Sequence, residues 1–389
     1  MGPGASNHVR IPERIRSIQP FLAMEVLEQA YAMERAGAKV IHLEIGEPDF
    51  PAPAAAVEAA RAALAAGQTR YTDSRGLPEL RAAIAADKTR RTGAAVDPEQ
   101  VIVTSGTSPA LLLVFSLLLE PGDEAIVPAP HYACYPNFVR FCGGVPVPVP
   151  CDPASGWTVD PDAVRRALSP RTRALVVGSP ANPTGAVQPR EVMAALAGLG
   201  VPLVSDEVYD GLVYDGAHAT SALEVAGDAD VYVLDGFSKR YAMTGFRLGY
   251  AIAPAAAQRT LQILAQNLFI SAAEFVQRAG LAALAHGEPT VQAMRNAYAR
   301  RRDLLVAGLR SLGFGVAVAP RGAFYVLADA RRFDPDSRRL AARILEAAHV
   351  AVTPGIDFGA AGEGFLRFCY ASSDEALGEA LVRMGRVLA

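Results

Sequence analysis

The chain is 389 residues long, with 51% hydrophobic and 20% charged residues and a net charge of −3. That length exceeds one ordinary core and fits two domains, and the composition is globular rather than disordered or fibrous. A near-neutral balance with no long basic run argues against a general nucleic-acid or membrane-surface role.

Apolar residues recur at helical spacing over residues 21–36, through Phe21, Met24, Leu27 and Tyr31, until Gly37 stops the helix. Residues 40–45 read as a strand, closed by Gly46-Glu47-Pro48-Asp49-Phe50, and helices follow near 54–66 and 77–90. Val101-Ile102-Val103 then runs into Thr104-Ser105-Gly106-Thr107-Ser108 and an apolar helix over 109–119. Short apolar runs at 125–127, 145–147, 174–177, 202–204, 231–234 and 248–252 alternate with helical stretches. Strands buried by helices on both faces have this pattern, so a mainly parallel α/β sheet is expected. The Val-Pro alternation over 145–150 reads as an edge strand or a turn. A long helical region spans 273–312, and 314–318, 323–327 and 365–370 suggest short strands of a second, α+β domain that also recruits the N-terminal segment.

Arg90-Arg91 and Arg300-Arg301-Arg302 read as solvated helix faces. Cys134, Cys142, Cys151 and Cys369 show no C-x-x-C spacing, so reduced cytosolic thiols are expected rather than disulfides or zinc ligands. Residues 1–19 hold no apolar core of signal-peptide length, and no stretch of twenty apolar residues spans a membrane, so a cytoplasmic protein is expected.

The most informative segment is Gly236-Phe237-Ser238-Lys239-Arg240-Tyr241-Ala242-Met243-Thr244-Gly245-Phe246-Arg247-Leu248-Gly249. A neutral lysine amine forms a Schiff base with an aldehyde. Lys239 follows a buried apolar run, has small and hydroxyl neighbours, and precedes the fixed cation Arg247. A lone lysine on such a turn is more often a surface residue. The whole segment, however, resembles the lysine signature of class I and II aminotransferases, fold-type I enzymes that use pyridoxal 5'-phosphate (PLP). Further landmarks of that family occur in its order between Gly46 and Arg367.

The resemblance implies a large PLP-binding domain (51–284) with a mainly parallel seven-stranded sheet flanked by helices, its strand at 248–252 antiparallel. A smaller α+β domain (285–389) would be joined by the N-terminal segment (1–50). Lys239 would hold the cofactor covalently, and Ser238, Arg247 and the Gly106-Thr107-Ser108 turn would hold its phosphate. A helix cap is the other reading of that turn. Tyr132 would stack on the pyridine ring, and Asn182 and Tyr209 would donate to the phenolic oxygen. Asp206 would keep the ring nitrogen protonated through a charge-assisted hydrogen bond worth about 1.5–3 kcal/mol, with Glu207 pointing away. Arg367 would grip the substrate α-carboxylate, Gly46 would contact the same group through its backbone, and Asn182 would lie beside it. Tyr71 would cross to the partner's phosphate site in a homodimer, or else stand as a solvent-exposed turn residue.

The expected chemistry is ping-pong amino transfer from an L-amino acid to a 2-oxo acid, with Lys239 as anchor and then as general base and acid. Dicarboxylate-specific relatives carry a second arginine after the signature strand. The comparable loop here, 266–274, has no cation, which favours a neutral or apolar side chain, although nearby Arg278 keeps an acidic one open. Phe21 and Phe324 are candidates for the side-chain pocket, with core packing as the alternative. PLP-dependent β-elimination is the rival activity. A non-catalytic PLP sensor is the remote one, since such regulators carry an N-terminal DNA-binding domain and only about twenty residues precede the first helix.

Overall fold

The computed structural model describes residues 10–388, so the reading of residues 1–19 lies partly outside it. Twelve strands follow in chain order: β1 (Ile41–His42), β2 (Val101–Thr104), β3 (Glu124–Ala129), β4 (Val145–Pro150), β5 (Thr172–Gly178), β6 (Leu203–Asp206), β7 (Val231–Gly236), β8 (Gly249–Ile252), β9 (Tyr325–Asp329), β10 (Val350–Ala351), β11 (Thr353–Pro354) and β12 (Phe365–Cys369). Strands β2 to β8 form one seven-stranded sheet in the order β2-β8-β7-β6-β5-β3-β4. Strand β8 runs antiparallel to both neighbours, and every other pairing is parallel. The mainly parallel α/β sheet and its antiparallel member at 249–252 are therefore as expected.

Every residue of β2, β3, β6, β7 and β8 is buried, because helices cover both faces of the sheet. Side chains alternate between the faces. Val103, Ile126, Leu203 and Val233 enter one core, while Ile102, Val127, Val204 and Leu234 enter the other. Strand β4, the Val-Pro segment, is an edge strand.

A third large core joins the helices Glu288–Leu312, Ser337–Ala348 and Asp374–Leu388 to the antiparallel sheet β11-β12-β9. The N-terminal segment is tied to it: β1 pairs in parallel with β10, and both oxygens of Asp357 accept from the amides of Leu22 and Ala23 at the start of the helix Leu22–Arg35.

Several details differ from the sequence expectation. The strand over 40–45 shortens to β1, because the chain beyond Leu43 leaves the ladder to form the floor of a cavity. Residues 314–318 contribute only an isolated bridge, Gly315 to Asp329. The helical region 273–312 is two helices, Glu274–His286 and Glu288–Leu312, broken at Gly287, where a Cβ would stand 2.5 Å from the Ala283 carbonyl oxygen and 2.6 Å from the Tyr241 ring. Arg301 and Arg302 are not solvated but 8% and 4% exposed, neutralised by Asp49 and Asp374 and by Asp215 and Asp303. Arg91 is likewise drawn inward by Asp87 and Asp210. All four cysteines are free thiols. Among the described residues no helix is long and apolar enough to cross a membrane, and no cluster of metal-ligating side chains occurs.

Candidate active site

Ligands collect where parallel strands end and helices begin, because unpaired amides face the crevice there. A cavity of about 410 Å³ opens at this edge of the sheet. Strand β2 ends at Thr104, Gly106 turns the chain at φ 99°, and the helix Thr107–Leu118 begins with Thr107 and Ser108 lining the cavity. A Cβ on Gly106 would lie 2.6 Å from Nη2 of Arg247, so only glycine lets that guanidinium lie over the turn. Arg247 donates to the Thr244 carbonyl at 2.8 Å and makes no ion pair among the described residues. Ser238 is buried on the same wall.

Asp206, the last residue of β6, turns its carboxylate into the cavity. The Tyr135 hydroxyl donates to its Oδ2 at 2.6 Å, and the Val208 amide to its Oδ1 at 3.2 Å. Burial pushes this carboxyl up to about 6, and those two hydrogen bonds pull against the rise. Glu207 faces the other way, accepting from Ser205, Ser221 and the Ala222 amide and pairing with Lys88. Tyr209 shares a 2.7 Å hydrogen bond with the Tyr325 hydroxyl. Tyr132 stands edge-to-face with Tyr135 at 5.4 Å and with Phe21 at 6.0 Å, giving the cavity an aromatic wall.

The Lys239 ammonium reaches into this space and donates to the Gly46 carbonyl oxygen. Burial lowers its pKa to about 8; Glu47 and Cys369 oppose that shift, and Arg367 and Arg247 add to it. Gly46 must be glycine, since a Cβ there would collide with the Tyr325 hydroxyl.

Arg367 on β12 is 1% exposed. Its Nη1 donates to Asn182 Oδ1 at 3.0 Å, its Nη2 to Thr353 Oγ1 at 3.0 Å and to the Glu44 carbonyl, and its Nε has no partner. The guanidinium lies 4.6 Å from the Tyr325 ring and 5.0 Å from that of Phe358. Among the described residues no carboxylate pairs with it. A buried guanidinium held by neutral groups alone is a ready receptor for a carboxylate from outside the chain.

One cavity thus unites Gly46, Thr107, Ser108, Tyr132, Asn182, Asp206, Tyr209, Ser238, Lys239, Arg247 and Arg367, with Gly106 directly behind Arg247. Tyr71 is not among them; it is 80% exposed on the outside of the chain. Phe21 lines the cavity, whereas Phe324 is fully buried against Tyr209. Arg278 is engaged by Glu79 and Glu274, each at 3.4 Å. Sequence reasoning assigned none of Tyr135, Tyr325, Glu44 and Thr353 to the site. Tyr135 could have been found three residues beyond Tyr132, at the start of the helix Tyr135–Phe141; the other three reach the site only through long-range contacts.

This set fits PLP. The amides and hydroxyls of the 106–108 turn, Ser238 and the unpaired Arg247 could hold a phosphate. The Asp206 carboxylate could meet a pyridine nitrogen, and the lowered amine of Lys239 an aldehyde.

Comparison with known proteins bears on the same conclusion. Residues 38–384 match the family described as aminotransferase class I and II. The chain is 46% identical to an aspartate/prephenate aminotransferase of Thermus thermophilus, over 97% of this chain and 98% of that one. It is 40% identical to a valine–pyruvate aminotransferase of Mycobacterium tuberculosis, over 95% of this chain and 96% of that one. Its fold overlays the structure of Thermus thermophilus aspartate aminotransferase with maleate at a TM-score of 0.93 and 44% identity, covering 98% of this chain and 100% of the other. The chain belongs to the class I and II aminotransferases and is a PLP-dependent, aspartate aminotransferase-like enzyme.

Proposed function

We propose that the enzyme moves the amino group of an L-amino acid with a neutral or apolar side chain to a 2-oxo acid by a ping-pong route. The observation that carries the substrate class is the charge around the cavity. Its lining cations among the described residues are Lys239, Arg247 and Arg367. The cofactor aldehyde, the cofactor phosphate and the substrate α-carboxylate would occupy all three. No lining cation remains for a second carboxylate, and Glu44 and Glu47 would repel one. Phe21, Met24, Leu27 and Ile45 offer apolar surface instead.

When bound, PLP supplies an electron-accepting ring that stabilises negative charge at the substrate Cα. The residues then divide the work. Arg367 fixes the substrate through two N–H donors to its carboxylate, and the Gly46 backbone and Asn182 border the same group. Lys239 would anchor the cofactor and, with its amine free, take the proton from Cα and hold it for return; burial lowers its pKa to about 8, which favours the neutral amine that task needs. Asp206 would keep a positive charge on the ring nitrogen, Asn182 and Tyr209 would hold the phenolic oxygen, and Tyr132 would cover one ring face against water.

The same reading takes residues 51–284 as the cofactor-binding domain and 1–50 with 285–389 as the smaller one; the separate cores support that division. It takes the active unit to be a cytoplasmic homodimer in which Tyr71 completes the partner's phosphate site. The exposure of Tyr71 and of neighbouring Leu268 and Ile270 supports the dimer; Thr72 hydrogen-bonds Ser271 in that patch. A dicarboxylate substrate is the second reading, favoured by the relative named for aspartate and prephenate. Absorption spectra of the PLP-loaded enzyme with a panel of amino acids test both. Loss of the visible band with leucine, valine or phenylalanine but not with aspartate is expected; the reverse order would establish the dicarboxylate reading.

A further inference from the structure

Behind the cavity lies a buried cluster of charge that the roles above do not use. Lys88, on the helix Pro78–Thr92, is 0% exposed, and its ammonium touches three carboxylates: Glu207 at 3.0 Å, Asp210 at 3.3 Å and Asp235 at 2.7 Å. Each carboxylate is held from another side as well. Glu207 accepts from Ser205, Ser221 and the Ala222 amide, Asp210 pairs with Arg91, and Asp235 accepts from the Tyr250 hydroxyl at 2.9 Å. Arg91 also meets Asp87 at 2.8 Å, with Arg240 3.9 Å from that same carboxylate.

The chain positions give the cluster its meaning. Glu207 follows Asp206, Asp210 follows Tyr209, and Asp235 lies on β7 three residues before Ser238 and four before Lys239. One ammonium with three N–H donors thus meets three acceptors, each next to a different part of the site. Stability alone does not account for such an arrangement, because well-packed apolar side chains fill a core without the cost of desolvating several charges. Only a multivalent donor fastens the turn over 207–210 and the strand β7 to the helix Pro78–Thr92 at one point.

We infer that Lys88 is a positioning residue for amino transfer: its ammonium locks the segments carrying Asp206, Tyr209 and Lys239 into one register. This rests on the roles proposed for those three residues. It acts from behind the strands and touches neither cofactor nor substrate.

The test is the double variant Lys88→Met with Glu207→Gln, which removes one charge of each sign and keeps the net charge of the cluster. In the apoprotein, hydrogen exchange should quicken about 5-fold or more over 203–211 and 231–241, and stay unchanged over 124–129, as expected of local loosening. Reloaded with PLP and given an amino donor from the panel above with a 2-oxo acid as acceptor, the variant should lose about 10-fold or more in kcat with KM within about 2-fold. A folded double variant with unchanged exchange and unchanged kcat overturns the inference. Should that variant fail to fold, Glu207→Gln alone leaves Lys88 two carboxylates and is read the same way, with smaller changes expected and none overturning the inference. Exchange in the apoprotein involves no cofactor. Failure of the Lys239 reading would show separately, as a PLP-loaded wild-type protein with no visible absorption band.

Discussion

The Tyr135 hydroxyl donates a 2.6 Å hydrogen bond to the carboxylate of Asp206, and both groups are buried. That bond opposes the upward pull of burial on the carboxyl, which still stands at about 6. Tyr135→Phe should raise the Asp206 carboxyl further and weaken its hold on a positive ring nitrogen. A hydrogen bond to a charged group is worth roughly 1.5–3 kcal/mol, so kcat/KM should fall about 10-fold or more. Steady-state kinetics from pH 6 to pH 9 would check this, the loss being largest at the acidic end.

Asp206 also links the site to the stability of the apoprotein. Its folded pKa is raised above the ordinary 3.8, so the folded state binds the proton more tightly than the unfolded chain. The stabilisation this gives is full below about pH 4 and lost as pH rises through about 6. At pH 7 the buried carboxylate is therefore a burden, on the order of 1–3 kcal/mol. Asp206→Asn should raise the urea midpoint of the apoprotein at pH 7 and leave it unchanged near pH 4, while lowering turnover by at least about 100-fold. Equal midpoints at pH 7 would contradict this.

Lys239 titrates in the opposite sense. Its folded pKa of about 8 lies below the ordinary 10.5. The unfolded chain binds this proton more tightly, so the apoprotein gains stability as pH rises from about 8 toward 10.5. Lys239→Ala should abolish that gain, remove the visible absorption of the PLP-loaded enzyme and reduce turnover below detection. Retained activity would mean that another group moves the Cα proton.

Gly106 carries two constraints at once: a backbone φ of 99° and an Arg247 nitrogen 2.6 Å from where a Cβ would stand. Gly106→Ala should displace the guanidinium and cost roughly 1–3 kcal/mol of strain. PLP affinity, measured by equilibrium dialysis, should fall at least about 10-fold, with little effect on KM for the amino acid in the loaded enzyme.

Arg367→Lys keeps the charge but loses the planar fork. Without the second N–H arm, kcat/KM should drop about 10- to 100-fold, chiefly through KM. The visible spectrum should survive, because nothing near the phosphate turn changes.

Much of this site could be read from the chain because its chemistry lies at strand ends, where sequence and geometry are tightly coupled. Asp206 closes an apolar run, Thr107 and Ser108 open a helix, and Arg367 interrupts an apolar strand, local contexts on which the family resemblance could place each one. Tyr325, Glu44 and Thr353 did not, since their relation to Tyr209 and Arg367 arises only when distant segments pack together. Charge in helices misled for the same reason. Arg91 and Arg302 look solvent-bound until their carboxylates arrive from elsewhere in the chain. The short strands β10 and β11 carry too few residues to show a period, so they went unread.

The Val-Pro strand β4 has a further effect, far from the chemistry. Its odd-numbered residues turn their amides inward: Val145 and Cys151 at its two ends donate to the Asp123 and Ala129 carbonyls, and the register with β3 holds between them. The outward amides would belong to residues 146, 148 and 150, and all three are proline. A stray chain meeting this border finds carbonyl acceptors but no N–H to pair with, so it cannot extend the sheet. Three ring nitrogens thus end the sheet and keep crowded copies of the enzyme from growing onto one another.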